Sequence, residues 1–394
     1  MTNRCKSSHH GLARGFSCPQ EGPIRDVIEA ITTPYAQEYI RRFTERFGPE
    51  LDRHGVGLRE VFLRWLTRGA QFEQVWDLSA ADARQAVLEE NPVLLPRRAA
   101  SLALQLHAHG LAGDWELDLR SRTRLRWQCW LLPAAECVQV KATRGHTVLR
   151  LHRGRTGIEA TFRRRGRCWT AVGAERLPVM GSRVCPMVLF HNPGIEGLEF
   201  GGPLRFARVP EDGIVKPCAA AVAVLRRHAP VYLRWVKEVV RAIIPVDARR
   251  SGIIAGSDFT KPGVVQVSFP IETMLLVETL VHEASHQHLE IVRRLGPIHN
   301  GSDHTLYYSP VRKQERPVDK ILVAYHALGN VLLCFRQCRK SGLRDGGYTR
   351  YQESQLVPQL DQLEAPLRRT RGLTPLGKAL WEPLAQRIHN GKQR

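Results

Sequence analysis

An α+β fold, mainly helical with a β-rich middle unit, is what this sequence predicts, and three observations predict it. Apolar residues recur at helical spacing over 24–113 and again from about 218 onward. Between them, over 114–210, the apolar positions alternate with a period of two. Glycines at 145, 154, 157, 166 and 173 punctuate that middle block at turn spacing. The change of period suggests three regions: an N-terminal helical region 1–113, a β-rich unit 114–210 and a C-terminal region 211–394 that carries the chemistry.

Taken in order, Leu58, Val61, Phe62, Trp65 and Leu66 form the i, i+3, i+4, i+7, i+8 stripe of an amphipathic helix. Ser79 is placed to cap a second helix, and a third runs from about Arg97 to His109 and stops at Gly110. Val138–Ala142 and Ile158–Arg163 alternate apolar and polar, as half-buried antiparallel strands do. A helix is expected from about Cys218 to Ile243, ended by Pro245. Gly263–Phe269 reads as a strand, 271–294 as a helix free of Pro and Gly, and 296–304 as a polar loop. Pro317 opens another helix to about Lys340, with closing helices over 355–370 and 375–389.

Composition narrows the function. The 43% hydrophobic and 24% charged fractions suit a globular chain with a substantial core. No run of 18 apolar residues occurs and the first ten residues lack an apolar signal core, so a cytoplasmic protein without a membrane partner is expected. Nine cysteines without a Cys-x-x-Cys pair argue against a disulfide framework or a zinc ribbon; Cys334 and Cys338 read as buried small hydrophobes. The net charge of +20, mostly arginine, would attract an acidic partner. The densest basic run, Phe162–Arg167, carries no nucleic-acid motif, and with 7% aromatics there is no stacking platform, so nucleic acid is not the expected partner.

Chemistry concentrates in His282-Glu283-Ala-Ser-His286, an HExxH pattern within the 271–294 helix. Residues at i and i+4 lie one turn apart on one helical face, so both imidazoles can reach one first-row metal ion. Glu283 beside them can polarise a bound water or orient a ligand. With the preceding strand this makes a zincin-like strand-plus-helix unit. Two histidines leave the ion short of ligands, and His299, Asp303, His304, Glu315, Asp319 and His326 are the downstream candidates. His326, inside an apolar helix, leads, with Asp319 next. His288-Leu-Glu290 mimics an iron-binding His-x-Glu pair, but on a helix those side chains point about 200° apart and cannot share an ion.

From the motif onward the sequence resembles a known family. Thr279–His286, then Tyr308-Ser-Pro-Val-Arg312-Lys-Gln-Glu-Arg316-Pro317, then the His326 helix look like the HExxH-type 2-oxoglutarate-dependent peptide β-hydroxylases, which modify ribosomally made precursor peptides. The clear match covers roughly 260–340. It implies metal ligation by His282, His286 and His326, a catalytic role for Glu283, and 2-oxoglutarate binding by the Arg312 and Arg316 pair. Val311 stands where the family usually has tryptophan, and Ala284-Ser285 where it has a bulkier pair, changes that bear on substrate choice.

The resemblance implies Fe(II) and 2-oxoglutarate as cofactors and hydroxylation at a Cβ of a precursor peptide, an acidic one suiting the basic surface. Three facial ligands on Fe(II) would leave room for a bidentate 2-oxo acid and O2, and an arginine fork would match the distal carboxylate. The alternative is a zinc metallopeptidase with Glu283 as general base. Imidazole accepts both metals; the arginine pair is what peptide hydrolysis does not require. The 263–269 strand, if it is a sheet edge, could align an extended peptide.

Overall fold

The computed structural model describes residues 11–19, 24–67, 94–166, 168–182, 185–189, 206–247, 255–257 and 261–390. The helix expected at Ser79 lies outside them. In chain order the named elements are α1 (Arg25–His54), β1 (Gly55–Val56), α2 (Leu58–Thr67), α3 (Leu95–Ala108), β2 (Gly113–Thr123), β3 (Arg126–Trp127), β4 (Trp130–Leu131), β5 (Ala135–Ala142), β6 (His146–Arg153) and β7 (Thr156–Arg165). Next come β8 (Cys168–Val172), β9 (Glu175–Arg176), β10 (Val179–Ser182), β11 (Cys185–Leu189), α4 (Glu211–His228), α5 (Pro230–Val239), β12 (Ala242–Asp247), β13 (Ala255–Ser257) and β14 (Val264–Phe269). The chain closes with α6 (Thr273–Arg293), β15 (Leu306–Ser309), β16 (Gln314–Pro317), α7 (Val318–Lys340), α8 (Tyr348–Arg369) and α9 (Pro375–Asn390). The fold class is α+β.

Two sheets organise the molecule. The first is antiparallel, in the order β1-β2-β5-β6-β7-β8. Trp115, Leu117 and Leu119 of β2 and Val138 and Val140 of β5 face inward, so one side is core and the other solvated, as the alternation predicts. The second sheet is mixed, in the order β10-β11-β12-β14-β13. Strands β11, β12 and β14 run parallel, with β10 and β13 antiparallel at its ends. Its central strand β14 has no solvated face: all six of its residues, Gln266 and Ser268 included, are buried, as expected of a strand covered on both sides.

This second sheet divides two hydrophobic cores. Ile243, Val265, Val267 and Phe269 face a helical core built from α4 to α9. Ala242, Ile244, Val246 and Val264 face the other core, shared with the antiparallel sheet, α2 and α3. The cores therefore do not follow the three regions read from the sequence. Helices α2 and α3 need cover for their apolar stripes, and the inner face of the antiparallel sheet supplies it. The first half of α1 (Ile28, Ile31) joins one core and its second half (Ile40, Phe43) the other.

The helix expected over 218–243 is two helices and a strand. Ala229, with φ −143°, and Pro230 break it, because a residue before proline is pushed out of the α region; Ile243 then sits in β12. The 263–269 strand is also not an edge. β14 pairs with β12 on one side and β13 on the other, and β13 is the outer strand. Helix α7 is long and apolar enough by composition to cross a bilayer, but 72% of that stretch is buried inside the fold, where it is a core helix.

Candidate metal centre

Helix α6 carries the motif because nothing interrupts it between Pro270 and Gly296. Leu276, Val277, Leu280, Val281, Ala284, Leu289, Ile291 and Val292 are buried, each such large side chain contributing about 1.5–3 kcal/mol. The helix packs against α4, α5 and α7, and β13 and β14 adjoin it. Gln287 fastens it to the sheet, accepting the Gly263 N–H at 3.1 Å.

On the face toward β13, His282 and His286 present partly accessible rings 4.6 Å apart at an interplanar angle of 88°. Their Nε2 atoms are 3.0 Å apart. Two cis ligands with bonds of ~2.0–2.1 Å set their nitrogens about 3 Å apart, so the pair fits one ion. Glu283 is buried beside them, and the ligand atoms of all three lie within 4.8 Å of one another. Ser257 of β13 donates a 2.6 Å hydrogen bond to Glu283 Oε2, leaving Oε1 for another partner.

The electrostatics suit metal binding. Burial holds His282 down to about 4, with Arg312 pressing in the same direction. His286 is held well below its usual range, first by burial and then by its neighbours His282, His326, Arg312 and Arg293. Both rings are thus neutral, as ligation requires. Glu283 moves the other way: burial raises its carboxyl to about 7, against the Ser257 hydrogen bond and the charge of Arg312. A dication would reverse that last balance and favour the carboxylate.

Arg312 is brought to this site by a short hairpin. Strands β15 and β16 pair antiparallel, from Leu306–Pro317 at the open end to Ser309–Gln314 at the turn. Lys313, with φ +52°, closes the turn by donating its N–H to Ser309 O at 2.7 Å. Arg312 beside it reaches the histidines and Glu283 with its charge. Arg316, opposite Tyr307 on β16, does not feature in their surroundings. Among the described residues neither arginine has a carboxylate partner.

His326 is not brought into the group. Its ring is fully buried, with Nε2 2.8 Å from Phe16 O and Trp235 on one side, 6.5 Å between centroids. Asn330, one turn on, donates to Ser17 O at 3.0 Å. The two residues share a face of α7 that satisfies buried carbonyls of the 11–19 segment, which explains a polar pair in an apolar helix. The other third-ligand candidates are also engaged elsewhere. Asp319 pairs with Arg293 at 3.4 Å, and Asp303 accepts from Tyr307 at 2.9 Å and from Thr370. Glu315 is exposed on β16 and His304 exposed in the loop, while His299 accepts the Gly301 N–H on Nδ1 at 3.3 Å and is not in the His-Glu-His group. The rejected His288–Glu290 pair does diverge: His288 Nε2 donates to Trp235 O at 2.9 Å, and Glu290 pairs with Arg293 at 2.7 Å.

Ser257 is the residue that sequence reasoning missed. It lies in a three-residue strand with no periodic signal and meets Glu283 only across 26 residues of chain. Fold and site together define an α+β protein with a His-Glu-His group able to hold a divalent metal. Compared with known protein families and with characterised proteins, the sequence matches none.

Proposed function

We propose that this protein is a metal-dependent enzyme acting on peptides, and that its reaction is Fe(II)- and 2-oxoglutarate-dependent hydroxylation of a carbon in a precursor peptide. The observation that carries this reading is Arg312: an arginine without a carboxylate partner among the described residues, whose charge reaches His282, Glu283 and His286. Such a cation calls for an anionic co-substrate, and a guanidinium fork matches a carboxylate. His282 and His286 would hold the ion, and Glu283, steadied by Ser257, would orient a group bound to it. When bound, iron and 2-oxoglutarate supply the oxidation: O2 and the oxo acid give succinate and CO2, and one oxygen atom enters the peptide C–H bond.

The peptide would be aligned along β13, the outer strand over the motif helix, rather than along β14. Among the described residues no strand pairs with the outer side of β13, and such an edge offers backbone hydrogen bonds to an extended chain. The basic surface favours an acidic precursor.

A second reading, a zinc peptidase, has its own support in Glu283. A buried carboxyl near pH 7 beside two histidines has the placement and proton affinity of a general base. One set of measurements separates the two. Protein purified without oxygen is loaded with Fe(II) and given 2-oxoglutarate and O2; succinate release is expected, and His282→Ala should lose both bound metal and succinate. Glu283→Gln should reduce this activity only modestly, whereas removing a hydrolytic base costs about 10²–10⁴-fold. Zinc-dependent peptide cleavage that collapses in Glu283→Gln, with no succinate under any condition, would establish the peptidase instead.

A further inference from the structure

Away from the metal centre, the polar loop after α6 and the link between α8 and α9 enclose a cleft of about 430 Å³. Ser302, His304, Thr305, Arg369, Thr370 and Arg371 line it. It lies at the open end of the β15–β16 hairpin, while Arg312 lies at the turn, about 13 Å away along four strand residues.

The walls are built rather than draped. Asp303 accepts from Tyr307 Oη at 2.9 Å, from the Thr305 N–H at 3.0 Å and from Thr370, so the loop is knitted to the α8–α9 link. Asn300 N–H donates to Gly372 O at 2.9 Å and closes the same seam. Gly372 is required by the close packing, since a Cβ there would stand 2.7 Å from His299 Nε2 and 2.8 Å from Asp303 Cβ. Among the described residues the only carboxylate lining the cleft, Asp303, therefore has its oxygens occupied by internal donors. Arg369 and Arg371 have no carboxylate partner among the described residues, and their side chains are exposed. Arg369 and Arg371 thus line a cleft whose volume is in the range of small-molecule sites, while the Ser302 hydroxyl donates to Asn300 Oδ1 at 2.7 Å and the Thr370 hydroxyl to Asp303 within its walls.

We propose that this cleft is an oxyanion site for a small molecule bearing a phosphate or several carboxylates. Arginine forks match the oxygens of either group. The site is separate from the reaction proposed above and does not depend on it.

Titration calorimetry of the full chain at low ionic strength tests the assignment, with inorganic phosphate and tricarballylate as the two probes. Binding of either is expected, weakening with added salt. Arg369→Gln and Arg371→Gln, both at exposed positions, should each weaken it about fivefold or more, and Arg312→Gln should leave it unchanged. Binding of phosphate alone or tricarballylate alone would identify the group recognised. No heat from either probe at millimolar concentration overturns the proposal. So does equal weakening by all three variants, which would reveal only a general charge effect.

Discussion

Arg312 carries an exposed charge to a buried group of ligands, and that contrast sets its expected behaviour. Its side chain is solvent-exposed, so replacement should leave the fold intact. Under the hydroxylase reading, Arg312→Lys keeps the charge but loses the planar fork. The KM for 2-oxoglutarate should rise about tenfold, with smaller change in kcat. Arg316→Lys should matter less, because the charge of Arg312, not that of Arg316, acts on His282, Glu283 and His286; equal effects from both would show that the pair acts jointly. A second single-residue prediction concerns stability. His107 is fully buried, with its Nδ1–H donating to Leu111 O at 2.8 Å and its Nε2 accepting from Trp115 Nε1 at 2.7 Å. Burial holds its folded value down to about 4, below the usual 6.5. Protonation would turn Nε2 into a donor facing the Trp115 donor. The unfolded chain thus binds the proton first, and the stability from neutral His107 is complete above about pH 6.5 and lost as pH falls toward 4. Urea unfolding at pH 7 and pH 4.5 should differ by up to roughly 3 kcal/mol from this group. His107→Gln should flatten that part of the pH dependence.

Among the elements, α9 shows how close approach constrains sequence. It begins where Thr374 Oγ1 donates to Pro297 O at 2.7 Å and accepts the Gly377 N–H at 3.3 Å. Gly377 then passes so near the loop after α6 that a Cβ would stand 2.3 Å from Ile298 O. Carbonyl backbone cannot move aside as a flexible side chain can. Gly377→Ala should therefore lower stability by about 1–3 kcal/mol, read as a fall in unfolding midpoint with the metal content of the folded fraction unchanged. Gly329 on α7 makes a softer contact with Leu384 and Ile388 side chains, so Gly329→Ala should cost less. Hairpin β15–β16 was legible only in part. The Tyr308–Pro317 element stands out as a motif, but that Arg312 rather than Arg316 acts on His282, Glu283 and His286 with its charge is a distinction that spacing alone could not make.

Across the whole molecule, the 11–19 segment is tied to the distant C-terminal helices. His326 and Asn330 satisfy the carbonyls of Phe16 and Ser17, and Ser17 Oγ donates to Leu380 O at 2.6 Å. His326→Ala should strand a buried carbonyl and cost about 1–3 kcal/mol. Its metal stoichiometry should nonetheless match the wild type, since His326 lies outside the His-Glu-His group. Loss of metal without loss of stability would instead make His326 a ligand, as the resemblance implies.

What the sequence determined by itself is local. The HExxH spacing on an uninterrupted helix was enough to set His282, Glu283 and His286 together, because neighbours along a helix are dictated by its 3.6-residue turn. Period-two alternation likewise announced β5 and β7. The tertiary structure alone decided the long-range partners. It gave His326 the Phe16 carbonyl as partner and left it outside the His-Glu-His group, put Ser257 on Glu283, made β13 rather than β14 the outer strand among the described residues, and divided the core at the mixed sheet. Each of these depends on how far one element is rotated and shifted against another. That is settled by packing many apolar side chains at once, which no single spacing in the chain encodes.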